Sequence, residues 1–191
     1  MSSSAAQEFD PNYVNPRGIP RVMFIENVGE FVKTKGTTVD TILRQFQEQY
    51  SKYKLMDHKL SQNKSQLAAK IPEISKTIDT VTFLNAKLVV EAFALTTHFG
   101  LTETCFAEAT VSPQGTLHLW LGANVLVEYT FQEAQALLEK NLAAAKLNLS
   151  NTIEDLAWLR DQQTILEVNT ARVYNFDVEQ RRNASKAGTT A

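Results

Sequence analysis

The sequence predicts an α+β fold: a long antiparallel two-helix coiled coil joined by two β-hairpins that assemble into an intersubunit β-barrel. Three observations predict it. Apolar residues recur with a coiled-coil period over two stretches of nearly equal length, residues 39–88 and 131–180. The segment between them switches to a two-residue alternation punctuated by turn-forming residues. That segment carries apolar side chains on both faces, more than a single chain can cover, and unpaired sheet edges are templates for strands of other chains.

The first arm follows alternating steps of three and four. Val39, Ile42, Phe46, Tyr53, Met56, Leu60, Leu67, Ile74, Val81, Leu84 and Leu88 hold the apolar positions, over about seven heptads. The second arm reads the same way through Leu138, Leu142, Ala145, Leu149, Leu156, Leu159, Leu166 and Val173. At about 1.5 Å rise per residue each arm is about 75 Å long. Polar residues interrupt the seam at Gln49, Asn63, Lys70, Thr77, Thr152, Gln163 and Thr170. They read either as register-fixing positions or as simple looseness.

Local signals mark the ends of the arms. Thr130 and Glu133 have the spacing of a capping box, and Thr37 or Thr38 ahead of Asp40 can start the first arm. Pro72 inside the first arm removes one backbone hydrogen bond, so a bend without a break is expected near residues 68–71. The first arm carries eight Lys/Arg against six Asp/Glu between residues 37 and 92. The second carries four against eight between 131 and 180. Opposite net charges favour pairing modestly, because exposed ion pairs contribute little each.

The segmentation that follows has five parts. Residues 1–36 form a leader, polar at its start, with an apolar stretch at 18–32 that should dock as a short helix or strap. Residues 37–90 and 130–181 are the arms. Residues 91–129 hold the two hairpins. Residues 182–191, rich in small and polar side chains, read as a disordered tail. Within the middle, strands are expected near residues 90–99, 102–111, 116–121 and 125–129. The turns fall around Gly100 and around Gly115 or Gly122, and Ser112-Pro113-Gln114-Gly115 makes a good turn.

Composition narrows the function classes. A formal charge of −2 across 191 residues implies no nucleic-acid groove. No apolar run approaches the roughly twenty residues of a membrane span, so no membrane partner is expected. Residues 1–10 lack the pattern of a signal peptide, and Cys105 is the lone cysteine. A cytosolic protein is the default, with the nucleus also open. Catalytic readings find no support. His58, His98 and His118 have no ligand spacing to cysteines or carboxylates, so neither a metal site nor a catalytic residue is expected. Cys105 reads as a packed small residue within a strand, Glu154-Asp155 as a solvated pair, and His118 beside Trp120 as barrel packing.

Several segments also carry a resemblance. Leu119-Trp120-Leu121-Gly122-Ala123-Asn124-Val125, Glu128-Tyr129 and Glu133-Ala134-Gln135-Ala136-Leu137-Leu138 resemble the α-class subunits of eukaryotic prefoldin. So do Ile71-Pro72-Glu73-Ile74, Glu167-Val168-Asn169, Ala171-Arg172-Val173-Tyr174-Asn175, and Gly18-Ile19-Pro20 with Phe24-Ile25-Glu26-Asn27-Val28 in the leader. The likeness covers residues 17–183 and is loosest over residues 93–104.

The resemblance implies a heterohexameric chaperone whose partners are a second α-class subunit and four β-class subunits. It implies a double β-barrel built from their hairpins, and an activity that uses no cofactor, nucleotide or metal. Non-native chains, notably actin and tubulin, would be held at the coil tips and passed to the group II chaperonin. On that reading the tip residues Ile42, Phe46, Tyr50, Val173, Tyr174 and Phe176 contact clients. The alternative is that some of them merely complete the seam. Assembly falls to Phe106, Leu117, Leu119, Trp120, Leu121, Val125 and Val127. The rival to this reading is a coiled-coil tether or adaptor that holds no unfolded chain. An enzyme with a coiled-coil appendage would need a catalytic domain for which the length leaves no room.

Overall fold

The structure is a computed structural model that describes residues 15–90, 94–111 and 115–188, with backbone alone for 88–90 and 186–188. The elements in order are α1 (Val28–Lys35), α2 (Val39–Leu84), a six-residue π-helical segment (Asn85–Val90), β1 (Leu95–Gly100), β2 (Phe106–Val111), β3 (Thr116–Gly122), β4 (Val125–Thr130) and α3 (Phe131–Gly188). Long helices and antiparallel hairpins make this an α+β chain. It divides into two compact units, one from the described residues up to Lys64 and from Asn151 onward, the other from Ser65 to Ser150.

The first unit is built from both helix ends and the leader. α1 begins at Asn27, whose side-chain oxygen accepts the amide of Glu30 at 3.3 Å, and ends at Gly36 with φ 60. Gly36 donates back to the carbonyls of Val32 and Lys33, which satisfies two of the helix's orphan acceptors. Thr38 then starts α2, its side-chain oxygen accepting from the amide of Thr41 at 3.4 Å. The helices pair antiparallel here: Ile42 packs with Val173, and Tyr53 with Leu159 and Leu166. Tyr50 donates its hydroxyl to Glu167 at 2.7 Å, and Arg181 sits 3.6 Å from Asp40. Leu159, Leu166 and Val173 are spaced by seven and fully buried, the pattern of a coiled-coil seam.

The second unit holds the remainder of both long helices and both hairpins. α2 runs through Pro72 without a break in its assignment. Val81, Phe131, Ala134 and Ala145 are its buried apolar residues. β1 pairs with β2 and β3 with β4 as two separate two-stranded sheets, so the described residues of a single chain form no closed barrel. The β3–β4 turn places Ala123 (φ 48) and Asn124 (φ 61) in the left-handed region after Gly122 (φ 102). Two consecutive positive φ angles match the right-handed twist of the flanking strands, as in type I′ hairpins. The register shift between Trp120 and Gly122 is a bulge at the same end of the hairpin.

Four sequence expectations change. The first strand begins at Leu95, because the chain from Asn85 to Val90 continues as a wide helical turn. The second begins at Phe106, because residues 101–105 form the turn: Leu101 and Thr102 both donate to the carbonyl of Cys105. Cys105 is therefore an exposed turn residue and not a packed one within a strand. The tail expected as disordered from residue 182 is helical through Gly188, since a long helix is already nucleated and each added residue gains a bond. Of the two candidate second-hairpin turns, Gly122 makes it. The expected turn over Ser112-Pro113-Gln114 lies outside the described residues.

The capping box of α3 forms as spaced. Glu133 accepts from the amide of Thr130 at 3.1 Å and from its hydroxyl at 2.9 Å, while Thr130 accepts the amide of Glu133 at 3.3 Å. The amide bond first, then the hydroxyl bond, holds the Glu133 carboxyl below its ordinary value of 4.5. A depressed folded-state value means stability that is full above the ordinary value and lost as pH falls through the depressed one. Thermal melts should therefore show Glu133→Ala less stable than the parent chain at pH 7, with the difference shrinking once the pH drops below 4.5.

Candidate functional site

The leader and α3 together form the most specific polar arrangement among the described residues. Asp155, Gln162 and Asn169 lie seven residues apart on α3 and are buried, Asn169 to 1 % exposure. A polar row on a helix is tolerated inside only when each group is paired. Here the leader supplies the partners. Asn15 donates to Asp155 at 2.8 Å, and Arg17 bridges Asp155 at 2.6 Å and Glu154 at 3.0 Å. These acids hold the Arg17 guanidinium above its ordinary value, the bond to Asp155 having the larger effect. Gln162 accepts the amide of Val22 at 2.8 Å. Asn169 accepts the amide of Ile25 at 3.0 Å and donates to the carbonyl of Met23 at 2.8 Å.

Two further groups complete the cradle. Arg172 donates to the carbonyl of Glu26 at 2.8 Å, and its guanidinium lies 5.0 Å from the ring centroid of Phe24. Tyr53 of α2 donates its hydroxyl to the carbonyl of Pro20 at 2.9 Å. Burial pushes the Tyr53 phenol up, so it remains a donor across the physiological range.

Geometry explains the leader's conformation. Val22 and Ile25 are three residues apart yet meet Gln162 and Asn169, seven apart on α3. Seven helical residues rise about 10.5 Å, and three residues cover that distance only when fully extended. The buried apolar leader residues are Ile19, Val22, Ile25 and Val28, one in every three. A three-residue period belongs to a threefold extended chain and not to a pleated strand. The leader is thus a third chain segment laid on a two-helix coil. Ile19 and Val22 join the cluster of Tyr53, Leu159 and Leu166, and Ile25 and Val28 join Ile42 and Val173.

This arrangement decides where the expected tip residues fall. Ile42 and Val173 are fully buried under the leader and α1. Phe46 is half-buried and faces Phe31 of α1, with ring centroids 6.4 Å apart. Phe176 is half-buried against the same cluster. Tyr50 is half-buried, bonded to Glu167, with Lys54 5.3 Å above its ring. Tyr174 is 58 % exposed. The structure therefore brings Ile42, Phe46, Val173 and Phe176 into one apolar cluster, packs Tyr50 with Phe46 against the neighbouring one, and leaves Tyr174 outside both.

The second surface is the hairpins. Leu117 faces Tyr129 and Leu119 faces Val127 on one side, while Trp120 faces Leu126 and His118 faces Glu128 on the other. Phe106, Trp120, Leu121 and Val125 are exposed, and Leu117, Leu119 and Val127 are half-buried. Phe99, Leu101 and Leu126 add to the exposed apolar area. An apolar area of this kind marks an interaction surface.

Sequence reasoning missed the leader cradle. Glu154-Asp155 had the reading of a solvated pair, whereas Asp155 is buried and bonded to Asn15 and Arg17. Gln162 carries no signal of its own in the sequence, and Asn169 and Arg172 stand out only through the resemblance, with no role attached. The available signal was the heptad spacing of Asp155, Gln162 and Asn169 against the period of three in Ile19, Val22, Ile25 and Val28. At the seam itself, Gln163 is buried with its side-chain nitrogen unbonded among the described residues. Gln49, Asn63, Lys70 and Thr77, the polar exceptions on α2, are all exposed.

A family model described as prefoldin subunit matches residues 53–176. The chain belongs to the prefoldin family. It is 47 % identical over 165 residues to prefoldin subunit 3 of Mus musculus, covering 86 % of this chain and 84 % of that one. The Homo sapiens prefoldin subunit 3 is equally similar, at 47 % identity over 86 % of this chain and 83 % of the relative. A probable prefoldin subunit 3 of Dictyostelium discoideum is 38 % identical over 95 % of this chain and 91 % of its own. Among solved structures, filamentous PFD from Methanocaldococcus jannaschii aligns with TM-score 0.41 and 16 % identity, over 71 % of this chain and 98 % of that one.

Prefoldin subunits are chaperone components and not enzymes, which places this chain in protein folding. Its described residues hold no group of three or more potential metal ligands, and none of its helices is long and apolar enough to cross a membrane.

Replacing Asn169 by Leu strands the buried amide of Ile25 and the carbonyl of Met23. Each unpaired group costs about 1–3 kcal/mol. The expected result is faster tryptic cleavage after Arg21 and a lower melting temperature, read by limited proteolysis and circular dichroism.

Proposed function

We propose that this prefoldin subunit works inside a heterohexamer with a second α-class and four β-class subunits, its hairpins pairing edge to edge with theirs into a shared β-barrel. In this reading the complex captures non-native chains, actin and tubulin among them, at its coiled-coil ends. It releases them to the cytosolic group II chaperonin without using ATP. The observation that carries the assembly step is the exposed apolar hairpin area. Trp120 is 66 % exposed and Phe106 62 % exposed, on two-stranded sheets whose outer edges have no partner strand among the described residues. A two-stranded sheet is marginal alone, and edge pairing satisfies both its backbone groups and its side chains.

The capture step rests on different features. Apolar side chains at the end of the coil (Phe46, Phe176, Tyr174) lie among charges, including Arg44, Asp177 and Arg181. Weak apolar contacts become effective when several arms act together. The free, exposed Cys105 suits a reducing compartment, so the cytosol, with or without the nucleus, is the proposed location.

Gentle purification from the source cell followed by intact-mass measurement tests the reading. Six chains of about this subunit's 21.4 kDa give a complex of about 100 kDa or more. Trp120→Asp should abolish its formation, and the intact complex should suppress light scattering by unfolded actin. A chain that runs alone or as a self-dimer, and leaves scattering unchanged, would instead support a coiled-coil tether.

A further inference from the structure

The cradle on α3 holds the leader chiefly through atoms that every polypeptide possesses. The groups recognised are the amides of Val22 and Ile25 and the carbonyls of Pro20, Met23 and Glu26. Between them the leader buries an apolar side chain at every third position, and the Phe24 ring lies against the Arg172 guanidinium. Met23, at 74 % exposure, and Phe24, at 50 %, point largely away from the core. A site of this kind sets few demands on sequence. It asks for an extended backbone and a modest apolar period, which describes an unfolded segment better than a folded surface.

We propose that the leader is an exchangeable occupant of this groove, and that an extended apolar segment of a non-native polypeptide takes its place. Gln162, Asn169 and Arg172 read the backbone of the incoming chain, as they now read the leader's. Tyr53 reads it from α2. The pockets filled by Ile19, Val22, Ile25 and Val28 accept its apolar side chains. The proposal rests on the chaperone reading and names the part of the chain that grips.

Two features support exchange. The leader is extended, so holding it orders many residues for few buried side chains, and the entropy of ordering offsets much of the gain. Several of its contacts are also ones a foreign backbone reproduces without loss, so displacement strands no buried polar group. Bonds made through the leader's own side chains, Asn15 and Arg17 to Asp155, lie beyond the stretch that the backbone readers hold. They can keep the leader tethered while residues 20–26 leave.

While the leader is seated, the apparent affinity for a client segment is the intrinsic one scaled by the fraction of open grooves. Release of the leader should therefore strengthen client binding, which is the opposite of what loss of an ordinary binding segment would do.

The experiment uses the full-length chain, alone and in its purified complex, and the leader-released double variant Val22→Asp/Ile25→Asp. The probe is a fluorescent synthetic peptide of residues 16–28, read by anisotropy. Its competitor is an unrelated peptide with apolar residues at every third position. The leader-released variant should bind the probe at least about tenfold more tightly than the parent chain. Asn169→Leu added to it should remove most of that gain. N-methylation of the probe at the positions of Val22 and Ile25 should weaken binding about tenfold. The unrelated peptide should compete.

Equal binding by parent and released forms overturns the proposal, and so does a gain that survives Asn169→Leu or an unrelated peptide that fails to compete. If the double variant loses helix content, a chain lacking residues 1–26 serves in its place with the same expectations. Scattering assays on unfolded actin separate the two levels. Suppression that persists unchanged in both forms while the peptides fail leaves the chaperone reading standing and removes this one. Absence of suppression in every form removes the chaperone reading itself.

Discussion

A row of buried polar side chains along α3 sets the terms for the first unit, the one built from the leader and both helix ends. Asp155, Gln162 and Asn169 repeat every seven residues, so they lie on one line parallel to the seam of Leu159, Leu166 and Val173. A two-helix coil has one seam and can satisfy only that. The second line needs a third partner with free donors and acceptors, and an extended backbone is the partner with the densest supply of both. Once the leader is drawn in, much else follows. Its residues must stretch to keep pace with the helix, Tyr53 gains a carbonyl for its buried hydroxyl, and α1 is delivered onto Ile42, Phe46 and Phe176.

The two units handle apolar surface in opposite ways. In the first, the chain covers its own core: the leader and α1 close over residues that two helices alone would leave open. In the second, Phe99, Phe106, Trp120 and Leu126 remain exposed on hairpins that pair only with themselves. The same physics therefore points to two kinds of partner. On the proposed reading the hairpins call for permanent ones, because nothing among the described residues covers them. The groove calls for transient ones, because it already holds a substitute.

The long helices and the hairpin order were legible because each has a strong period. The run from Val39 through Leu84 and the run from Leu138 through Val173 keep a heptad pattern, and Thr130 with Glu133 announces a helix start in two residues. Leu119-Trp120-Leu121-Gly122 alternates and then breaks where the turn falls. The start of the first strand was not legible, since Val89-Val90 suits a strand as well as a helix, and the chain stays helical through Val90. The leader's docking was visible as apolar content, but its address was not. Asp155, Gln162 and Asn169 look like ordinary surface residues of a charged helix until a second segment is brought beside them. Their role depends on pairing across roughly 140 positions of sequence. Of the residues expected at the tip, Ile42 and Val173 lie inside the core because the leader covers them.

Hydrogen exchange across residues 19–28 of the full-length chain tests the central claim most directly. If α3 holds an extended leader by its backbone, the amides of Val22 and Ile25 exchange slowly although they belong to no helix or sheet. The amide of Phe24, a half-exposed residue between the two, exchanges faster, and Asn169→Leu releases Ile25 first. Exchange of all these amides at the rate of a free peptide, unchanged by Asn169→Leu, would contradict the account.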